Sequence, residues 1–250
     1  YSLGRYALES ALRMLKVGRG DVVALPEFIC RDLISSISQV GAKVKFYPVD
    51  QYLNLACGLE DFPHSKVIVA VNYFGFPQDL TVFNDIADKM GAILIEDNAH
   101  GLLSSDLLGI PLGTRTQIGI FSLRKTFPLL NGAALVVNDN ELAKLLPKQL
   151  TASVKGASIG FRFKKILRVL VPILGIKPCR ILTNLVRIMR KLRTGQPIPL
   201  PEINAEKIIP GNPRPCKLAN KVLSYVDVAA EITRRREIYL HLDKMILGFG

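Results

Sequence analysis

Short apolar runs alternate with amphipathic segments through the first 140 residues of the chain. Uninterrupted apolar strands separated by amphipathic helices are typical of a parallel sheet that is covered by helices on both faces. The runs expected to form strands are 22–25, 44–47, 67–71, 92–95, 118–121 and 133–137. The pattern therefore predicts an α/β fold built on a mostly parallel central sheet.

Amphipathic spacing predicts helices between and after these runs. Three of the helices are expected to end at Gly18, Gly41 and Gly91, because glycine is the usual residue just beyond the last turn of a helix. Later in the chain, the apolar residues of 181–192 and 218–242 recur at the same helical spacing. The second part of the chain is therefore predicted to be helical.

Polar side chains follow two of the predicted strands. The stretch Glu96 to His100 follows the fourth apolar run, and the stretch Ser122 to Lys125 follows the fifth. In open parallel sheets, ligands bind outside the carboxyl ends of the strands. A carboxylate, an imidazole, a hydroxyl and an amine are therefore expected beside one binding site.

Six short segments resemble the motifs of one protein family and occur in that family's order. The segments are Gly4 to Leu8, Gly20 to Phe28, Asn72 to Gly75, Ile95 to His100, Phe121 to Ser122 and Gly211 to Arg214. Together they resemble the DegT/DnrJ/EryC1/StrS sugar aminotransferase family, in which the fourth and fifth motifs read "EDxAH" and "FSF". The resemblance extends from Gly4 to about Tyr239, which is nearly the whole chain.

The resemblance implies an enzyme that depends on pyridoxal 5'-phosphate (PLP) and has the aspartate-aminotransferase fold. This chain would hold the large cofactor-binding domain, with the family's smaller C-terminal domain largely absent. By resemblance, Asp97 pairs with the pyridine nitrogen, which must stay protonated for the ring to accept electrons. Ser122 and the backbone amides near Arg5 and Tyr6 would bind the phosphate, and His100 would flank the ring.

The resemblance also implies a homodimer. In the family, the asparagine of a "GxNxR" loop reaches into the neighbouring subunit's site, and Asn212 is its counterpart here. A two-fold dimer with sites at its interface is the usual arrangement for such reciprocal contacts.

The lysine that binds PLP is the main departure from the family pattern. The family places this Schiff-base lysine five residues after the serine, where this chain has Phe127. Lys125 is the nearest lysine, and its flexible side chain lets it take the role from a remodelled turn. The alternative is that Lys125 is a surface lysine on that turn. A second departure is Cys30, at the position of a ring that stacks on PLP; Phe28 and Tyr73 are candidate substitutes.

These residues predict a PLP-dependent aminotransferase that converts a nucleotide-linked keto sugar to an amino sugar in surface polysaccharide biosynthesis. Lys125 would form the Schiff base and then act as the acid and base, with an amino donor that the sequence does not identify. Two alternatives stay open. One is a catalytically degenerate relative that acts as a binding or scaffold module. The other is a dehydratase, although family dehydratases have histidine at the position of Phe127.

The net charge of +12 is concentrated in one segment. Residues 155–193 contain eleven Lys or Arg and no acidic residue, and 12 minus 11 leaves the rest near +1. The charge therefore gives no reason to expect nucleic acid as a partner. The expected organisation is a PLP-binding core at 1–150, a basic amphipathic insert with a Pro-rich linker at 151–205, and a loop and helix at 206–250.

The apolar face of 181–192 has two interpretations. A helix rich in Lys and Arg can lie among the headgroups of an anionic membrane, which would give peripheral contact through 161–193. Alternatively, the face packs on the large domain and the charges are solvated.

Cysteine spacing and hydropathy point to the cytoplasm. No run reaches the 18 or so apolar residues of a spanning helix. The cysteines form no pair at zinc-ligand spacing, so no metal is expected, and scattered thiols are typical of a reducing compartment. They are Cys30, Cys57, Cys179 and Cys216.

Overall fold

The computed structural model describes residues 1–127, 129–146, 176–195, 206–209 and 212–248. The strands in these ranges are β1 Val22–Pro26, β2 Lys43–Tyr47, β3 Val67–Val71, β4 Ile93–Asn98, β5 Ile118–Phe121 and β6 Ala134–Val137. They form one sheet in the order β2-β1-β3-β4-β5-β6, and each neighbouring pair is parallel except β5 and β6. The predicted α/β fold with a mostly parallel sheet is confirmed.

The helices of the described ranges follow the predicted alternation. They are α1 Gly4–Met14, α2 Ile34–Val40, α3 Thr81–Met90, α4 Leu123–Thr126, α5 Asn140–Ala143, α6 Ile176–Thr194, α7 Lys217–Leu223 and α8 Val228–Leu247. Short 3-10 turns cover Arg31–Leu33 and Tyr73–Gly75. Gly41 and Gly91 follow α2 and α3 in the left-handed conformation, with φ of 80° and 63°, as expected for glycines that end helices.

Two apolar layers cover the two faces of the sheet. One layer packs α1 and α2 on the sheet through fully buried side chains such as Leu8, Leu12 and Ile37. The other layer packs α3 on the opposite face through Phe83 and Ile86. Successive β3 residues alternate between the layers, because neighbouring side chains of a strand point to opposite faces. Each large side chain buried in this way contributes roughly 1.5–3 kcal/mol to the free energy of folding.

Several element bounds differ from the predictions. β4 runs three residues beyond the predicted 92–95, so Glu96, Asp97 and Asn98 lie within the strand itself. The predicted helix at 218–242 is two helices, because Asp227 caps a new one by accepting the Ala230 N–H at 3.0 Å. α1 ends at Met14, four residues before Gly18.

The basic segment is described only from residue 176 onward. The predicted Pro-rich linker runs from 195 to 201, and all of it after residue 195 lies outside the described residues, as does the segment 147–175. Among the residues that are described, no helix combines the length and apolar character needed to cross a bilayer.

Candidate active site

A cavity of about 370 Å³ opens at the carboxyl-end edge of the sheet. This volume is within the usual range for sites that bind small molecules. Its wall contains the N-terminal residues of α1 and the residues that follow β1, β3, β4 and β5. Five of the seven predicted site residues line it: Arg5, Asp97, His100, Ser122 and Lys125.

Asp97 occupies the buried end of the cavity. It lies on β4 between Val71 of β3 and Ile120 of β5, and only 5% of its surface is exposed. Its Oδ1 accepts the Ala99 N–H at 2.9 Å. Burial raises the pKa of the Asp97 carboxyl, while the Ala99 N–H and the Lys125 cation lower it. Since burial disfavours the charged form, the ionised carboxylate would gain from a cationic ligand in the cavity.

The neighbouring Glu96 faces away from Asp97 and is held by a buried ion pair. Its Oε1 accepts from Arg115 Nε at 2.9 Å and from Arg115 Nη2 at 2.6 Å, and Asn72 Nδ2 donates to it at 2.7 Å. These bonds tie the ends of β3 and β4 together and thereby fix the direction of Asp97. Nothing in the spacing of Arg115, nineteen residues after Glu96, indicated this contact.

Lys125 and His100 meet at the mouth of the cavity. Lys125 Nζ lies 2.9 Å from His100 Nε2. Lys125 belongs to α4, which is a single helical turn. The Lys125 N–H donates to Ser122 O at 3.1 Å and closes this turn. Partial burial lowers the pKa of His100, and the Lys125 cation lowers it further. The amine and the imidazole predicted from two separate motifs are therefore neighbours in the fold.

Phe74 packs against the His100 ring. The two rings are nearly parallel, at 4°, with centroids 5.9 Å apart, and the Phe74 N–H donates to His100 Nδ1 at 3.4 Å. Phe74 has a φ of 56°, a left-handed conformation that is uncommon for a residue with a bulky side chain. The sequence offered no signal for this contact beyond the glycine that follows Phe74.

The candidate substitutes for a stacking ring also lie at the cavity. Tyr73 and Phe28 both line it, as does Cys30. The Tyr73 hydroxyl donates to the Phe28 carbonyl at 2.6 Å, and burial raises its pKa well above the ordinary value. Tyr73 is therefore a neutral donor that fixes the loop carrying Phe28.

The expected phosphate end of the cavity contains Ser122, which is buried, together with Gly4 and Arg5 of α1. The N–H groups at the start of a helix have no partner within the helix and favour anions. Tyr6 is placed differently from the expectation. Its N–H donates to Leu3 O at 3.1 Å, its hydroxyl points to Ile209 O, and it does not line the cavity.

Asn212 lies outside the cavity of its own chain. It is exposed, and its Oδ1 accepts the Arg214 N–H at 2.9 Å. The Ser2 hydroxyl donates to the Asn212 carbonyl, and the Ser2 N–H donates to Pro213 O at 2.9 Å. These bonds dock the Asn212 loop on the N-terminus of the chain.

Phe127, at the position where the family places its lysine, belongs to an apolar cluster. Its side chain is 8% exposed and packs with Leu129, Cys216 and Ala219, where it anchors α7 to the turn after β5. A lysine at this position would place a charge in an apolar cluster. Lys125, two residues earlier, is the lysine that reaches the cavity wall.

Comparison with known proteins agrees with this geometry. The profile of the DegT/DnrJ/EryC1/StrS aminotransferase family matches residues 2–162, which is more than half of the chain. The fold and the edge-of-sheet cavity thus define the cofactor-binding part of an aminotransferase-type α/β domain. The chain belongs to the DegT/DnrJ/EryC1/StrS aminotransferase family.

Two curated relatives and one solved structure illustrate the similarity. The chain is 33% identical to a UDP-N-acetyl-3-dehydro-alpha-D-glucosamine 3-aminotransferase of Acidithiobacillus ferrooxidans, over 57% of this chain and 40% of that protein. It is 32% identical, with the same coverage, to a dTDP-3-amino-3,4,6-trideoxy-alpha-D-glucose transaminase of Micromonospora megalomicea subsp. nigra. A DegT DnrJ EryC1 StrS aminotransferase structure from Brucella abortus matches with a TM-score of 0.51 and 26% identity, covering 57% of this chain and 42% of that one. The chain thus spans about two fifths of the length of these relatives.

Proposed function

We propose that this chain is the cofactor-binding part of a PLP-dependent aminotransferase that converts a nucleotide-linked keto sugar into an amino sugar for surface polysaccharide biosynthesis. The observation that carries the proposal is the convergence of the buried Asp97 carboxylate and the Lys125 amine on one cavity. The names of the two curated relatives, which act on UDP- and dTDP-linked sugars, support the substrate class.

The residues of the cavity fit PLP, on which the family's aminotransferases depend. Burial disfavours the ionised form of the Asp97 carboxyl. A protonated pyridine nitrogen would supply a cationic partner that stabilises the carboxylate. Lys125 would hold the cofactor covalently through Nζ. Ser122 and the start of α1 would bind its phosphate. When bound, PLP supplies an electron sink for the substrate bond that loses its proton.

The protein's own chemistry would be proton transfer at Lys125. Its Nζ would carry a proton between the substrate carbon and the cofactor, which is general acid and base catalysis. His100 Nε2, 2.9 Å away, would hold Nζ in place between these steps. Phe74 would keep the imidazole in register through ring stacking and its N–H.

The direct test is product formation. The natural full-length protein, with PLP and an amino donor such as glutamate, is expected to convert a UDP- or dTDP-linked keto sugar to an amino sugar detectable by mass spectrometry. Lys125→Ala should abolish the product, whereas Lys144→Ala, which removes an exposed lysine paired with Glu141, should not. A protein that binds PLP without forming any amino sugar would favour the scaffold alternative.

A homodimer is part of the proposal. Asn212 is exposed and is not among the residues that line the cavity of its own chain, which supports a role in the partner's site. If each site combines Lys125 of one subunit with Asn212 of the other, a mixture of Lys125→Ala and Asn212→Ala subunits should recover activity. The recovered site would contain both intact residues. Two inactive variants that stay inactive when mixed as dimers would rule out this arrangement.

We also place the protein in the cytoplasm, with peripheral attachment to an anionic membrane. The cysteines whose side chains are described form no disulfide, which supports a reducing compartment. The attachment proposal rests on α6, a helix of 19 residues without an acidic side chain. Its apolar stripe is exposed rather than packed on the domain: Ile181 is 62% exposed and Leu192 is 82% exposed.

The positive charge of α6 favours an anionic membrane as the partner. Its exposed cations are Arg180, Arg187, Arg190, Lys191 and Arg193. Each cation near an anionic leaflet contributes about 1 kcal/mol, and salt screens this attraction. A cationic helix with an apolar stripe on one face is the arrangement that lies in the headgroup region.

Vesicle sedimentation tests the attachment. The protein should bind vesicles containing phosphatidylglycerol, should ignore pure phosphatidylcholine, and should be released at about 1 M salt, where the Debye length is about 3 Å. Ile181→Asp should weaken binding by placing a charge on the stripe. Thr183→Asp is the matched control, because it adds the same charge on the other side of the helix and should have a smaller effect. An absence of binding at low salt would refute the attachment.

A further inference from the structure

Helix α4, the single turn that carries Lys125, depends on contacts from later in the chain. A helix of four residues is too short to be stable by itself. The side chain of Phe127, the residue after α4, is buried in an apolar cluster with Leu129, Cys216 and Ala219. This packing anchors the end of the turn, but it provides no hydrogen-bond donor for the last carbonyl groups of α4.

Arg235 of α8 provides such a donor. Its Nη2 donates to the carbonyl oxygen of Thr126, the last residue of α4, although the two residues are 109 positions apart in the chain. The last carbonyl groups of a helix have no partner within the helix, and arginine side chains can serve as one. Because the donor is a cation, the bond is stronger than one between two neutral groups. Arg235 therefore fixes the residue next to Lys125.

The bond from Arg235 lies where α4 and α8 are not closely packed. A second cavity, of about 660 Å³, lies between the end of α4 and the start of α8. Thr126, Phe127 and Arg235 are among the residues that line it. Beside this space, the hydrogen bond holds the turn where side-chain packing does not.

Glu231, one turn earlier on α8, orients the Arg235 guanidinium. Its Oε1 accepts from Arg235 Nε at 2.7 Å and from Arg234 Nη2 at 2.8 Å. Hydrogen bonds from Arg234 and Arg235 lower the pKa of the Glu231 carboxyl to about 2, so it is ionised at neutral pH. Within the part of the chain that the structure describes, Arg234 bonds to Glu231 and not to α4. The two arginines thus share a charge and a partner, and they differ in the contact with α4.

We propose that Arg235 is a positioning residue for Lys125. By holding the Thr126 carbonyl, it keeps the Lys125 amine beside the His100 imidazole, where Nζ lies 2.9 Å from Nε2. Arg235 is not among the residues that line the active-site cavity, so it acts on the amine through the backbone of α4. The proposal rests on the proposed function, because the amine matters for catalysis only if Lys125 holds the cofactor.

NMR titration of His100 in the cofactor-free, full-length protein reports the position of the Lys125 amine. Burial lowers the pKa of His100, and the Lys125 cation lowers it further. Arg235→Met removes the donor and keeps the apolar stem, so the amine should move away and the His100 pKa should rise. Arg234→Met is the matched control, because it removes the same charge and a bond to the same Glu231. It should leave the His100 pKa unchanged.

Two results of this titration would overturn the proposal. An unchanged His100 pKa in Arg235→Met would show that the turn does not need the contact. Equal rises in Arg235→Met and Arg234→Met would show an effect of charge and not of position. Arg235→Lys keeps a cationic donor and should have a His100 pKa closer to that of the wild type. If Arg235→Met does not fold, Arg235→Gln, which also removes the charge, is titrated in its place.

The rate of PLP attachment separates this proposal from the proposed function. Borohydride reduction at successive times after PLP is added measures how fast Lys125 binds the cofactor covalently. Arg235→Met should lower this rate by about 2- to 10-fold, the range for one hydrogen bond, and Arg234→Met should not. Equal rates in Arg235→Met and the wild type would contradict the positioning role. If the wild type attaches no PLP, the proposed function fails, and the His100 titration still decides whether Arg235 positions Lys125.

Discussion

Helices α1 and α6 share a sequence pattern but differ in what covers their apolar faces. In α1, Leu8 and Leu12 are at most 1% exposed, because the helix packs on the parallel sheet. The apolar face of α6 also has helical spacing, but its Leu185 is 49% exposed and its Ile188 is 54% exposed. Apolar periodicity thus predicts that a helix forms, whereas the surface that covers it depends on which neighbours the fold supplies.

The charges of the two regions differ in the same way. In the sheet domain, charged groups have specific partners, as in the Arg5–Asp32 pair at the cavity and the buried Arg115–Glu96 pair behind Asp97. In α6, Arg180, Arg187, Lys191 and Arg193 are exposed, and the helix itself contains no acidic residue. A change at the cavity should therefore act through one defined contact, and a change in α6 through the summed charge.

Among variants that remove one charge, Asp97→Asn should have the largest effect on turnover. Turnover of the full-length enzyme is expected to fall by about 10²- to 10⁴-fold, because a buried ionic partner is worth about 3–5 kcal/mol. Arg187→Gln, the matching loss of one charge in α6, should leave turnover within about twofold. Steady-state kinetics measures both, and equal effects would erase the contrast between the regions.

The same Asp97 variant should have the opposite effect on the stability of the cofactor-free protein. Burial holds the folded-state pKa of Asp97 above the ordinary value, so the folded protein retains its proton more strongly than the unfolded chain. Its contribution to stability therefore falls as pH rises from about 3.9 through the folded-state pKa. At neutral pH, Asp97→Asn should raise the melting temperature, and a lower one would contradict the cost assigned to the buried carboxylate.

Paired leucine truncations test the contrast in packing. Leu12→Ala should lower the free energy of unfolding by about 2–5 kcal/mol, because it opens a cavity between α1 and the sheet. Leu185→Ala should change it by less than about 0.5 kcal/mol, since the side chain is half exposed. Denaturant titration measures both. A large loss for Leu185→Ala would mean that the α6 stripe is packed in solution.

The smallest predicted effect is a shift in the pKa of the His100 imidazole. Its pKa is expected below the ordinary value near 6.5, and Lys125→Gln should raise it by removing the neighbouring cation. NMR titration of the ring protons measures the shift. If the His100 pKa did not respond to Lys125→Gln, the two side chains would not be in contact in solution. His100 could then not hold the Lys125 amine in place.

The sheet was predictable because its strands are buried on both faces and therefore read as continuous apolar runs. The chemistry at the ends of β4 and β5 was also visible, since polar residues follow those runs directly. Asp97, His100, Ser122 and Lys125 were named from such positions, and all four line the cavity.

The contacts that orient these groups were not predictable. Arg115, Asp32 and Phe74 act across long sequence separations, and no local period or spacing marks them. Phe127 was visible only as a departure from the family pattern. Its burial against Cys216 and Ala219 depends on a helix about ninety residues later in the chain.

The most direct test of the account is the identity of the lysine that holds the cofactor. The natural full-length protein is incubated with PLP, reduced with borohydride and digested, and the modified peptide is sequenced by mass spectrometry. The account predicts that PLP is fixed on Lys125, that Lys125→Ala loses the adduct while remaining folded, and that Lys144→Ala keeps it. An adduct on a different lysine, or an active enzyme without any adduct, would contradict it.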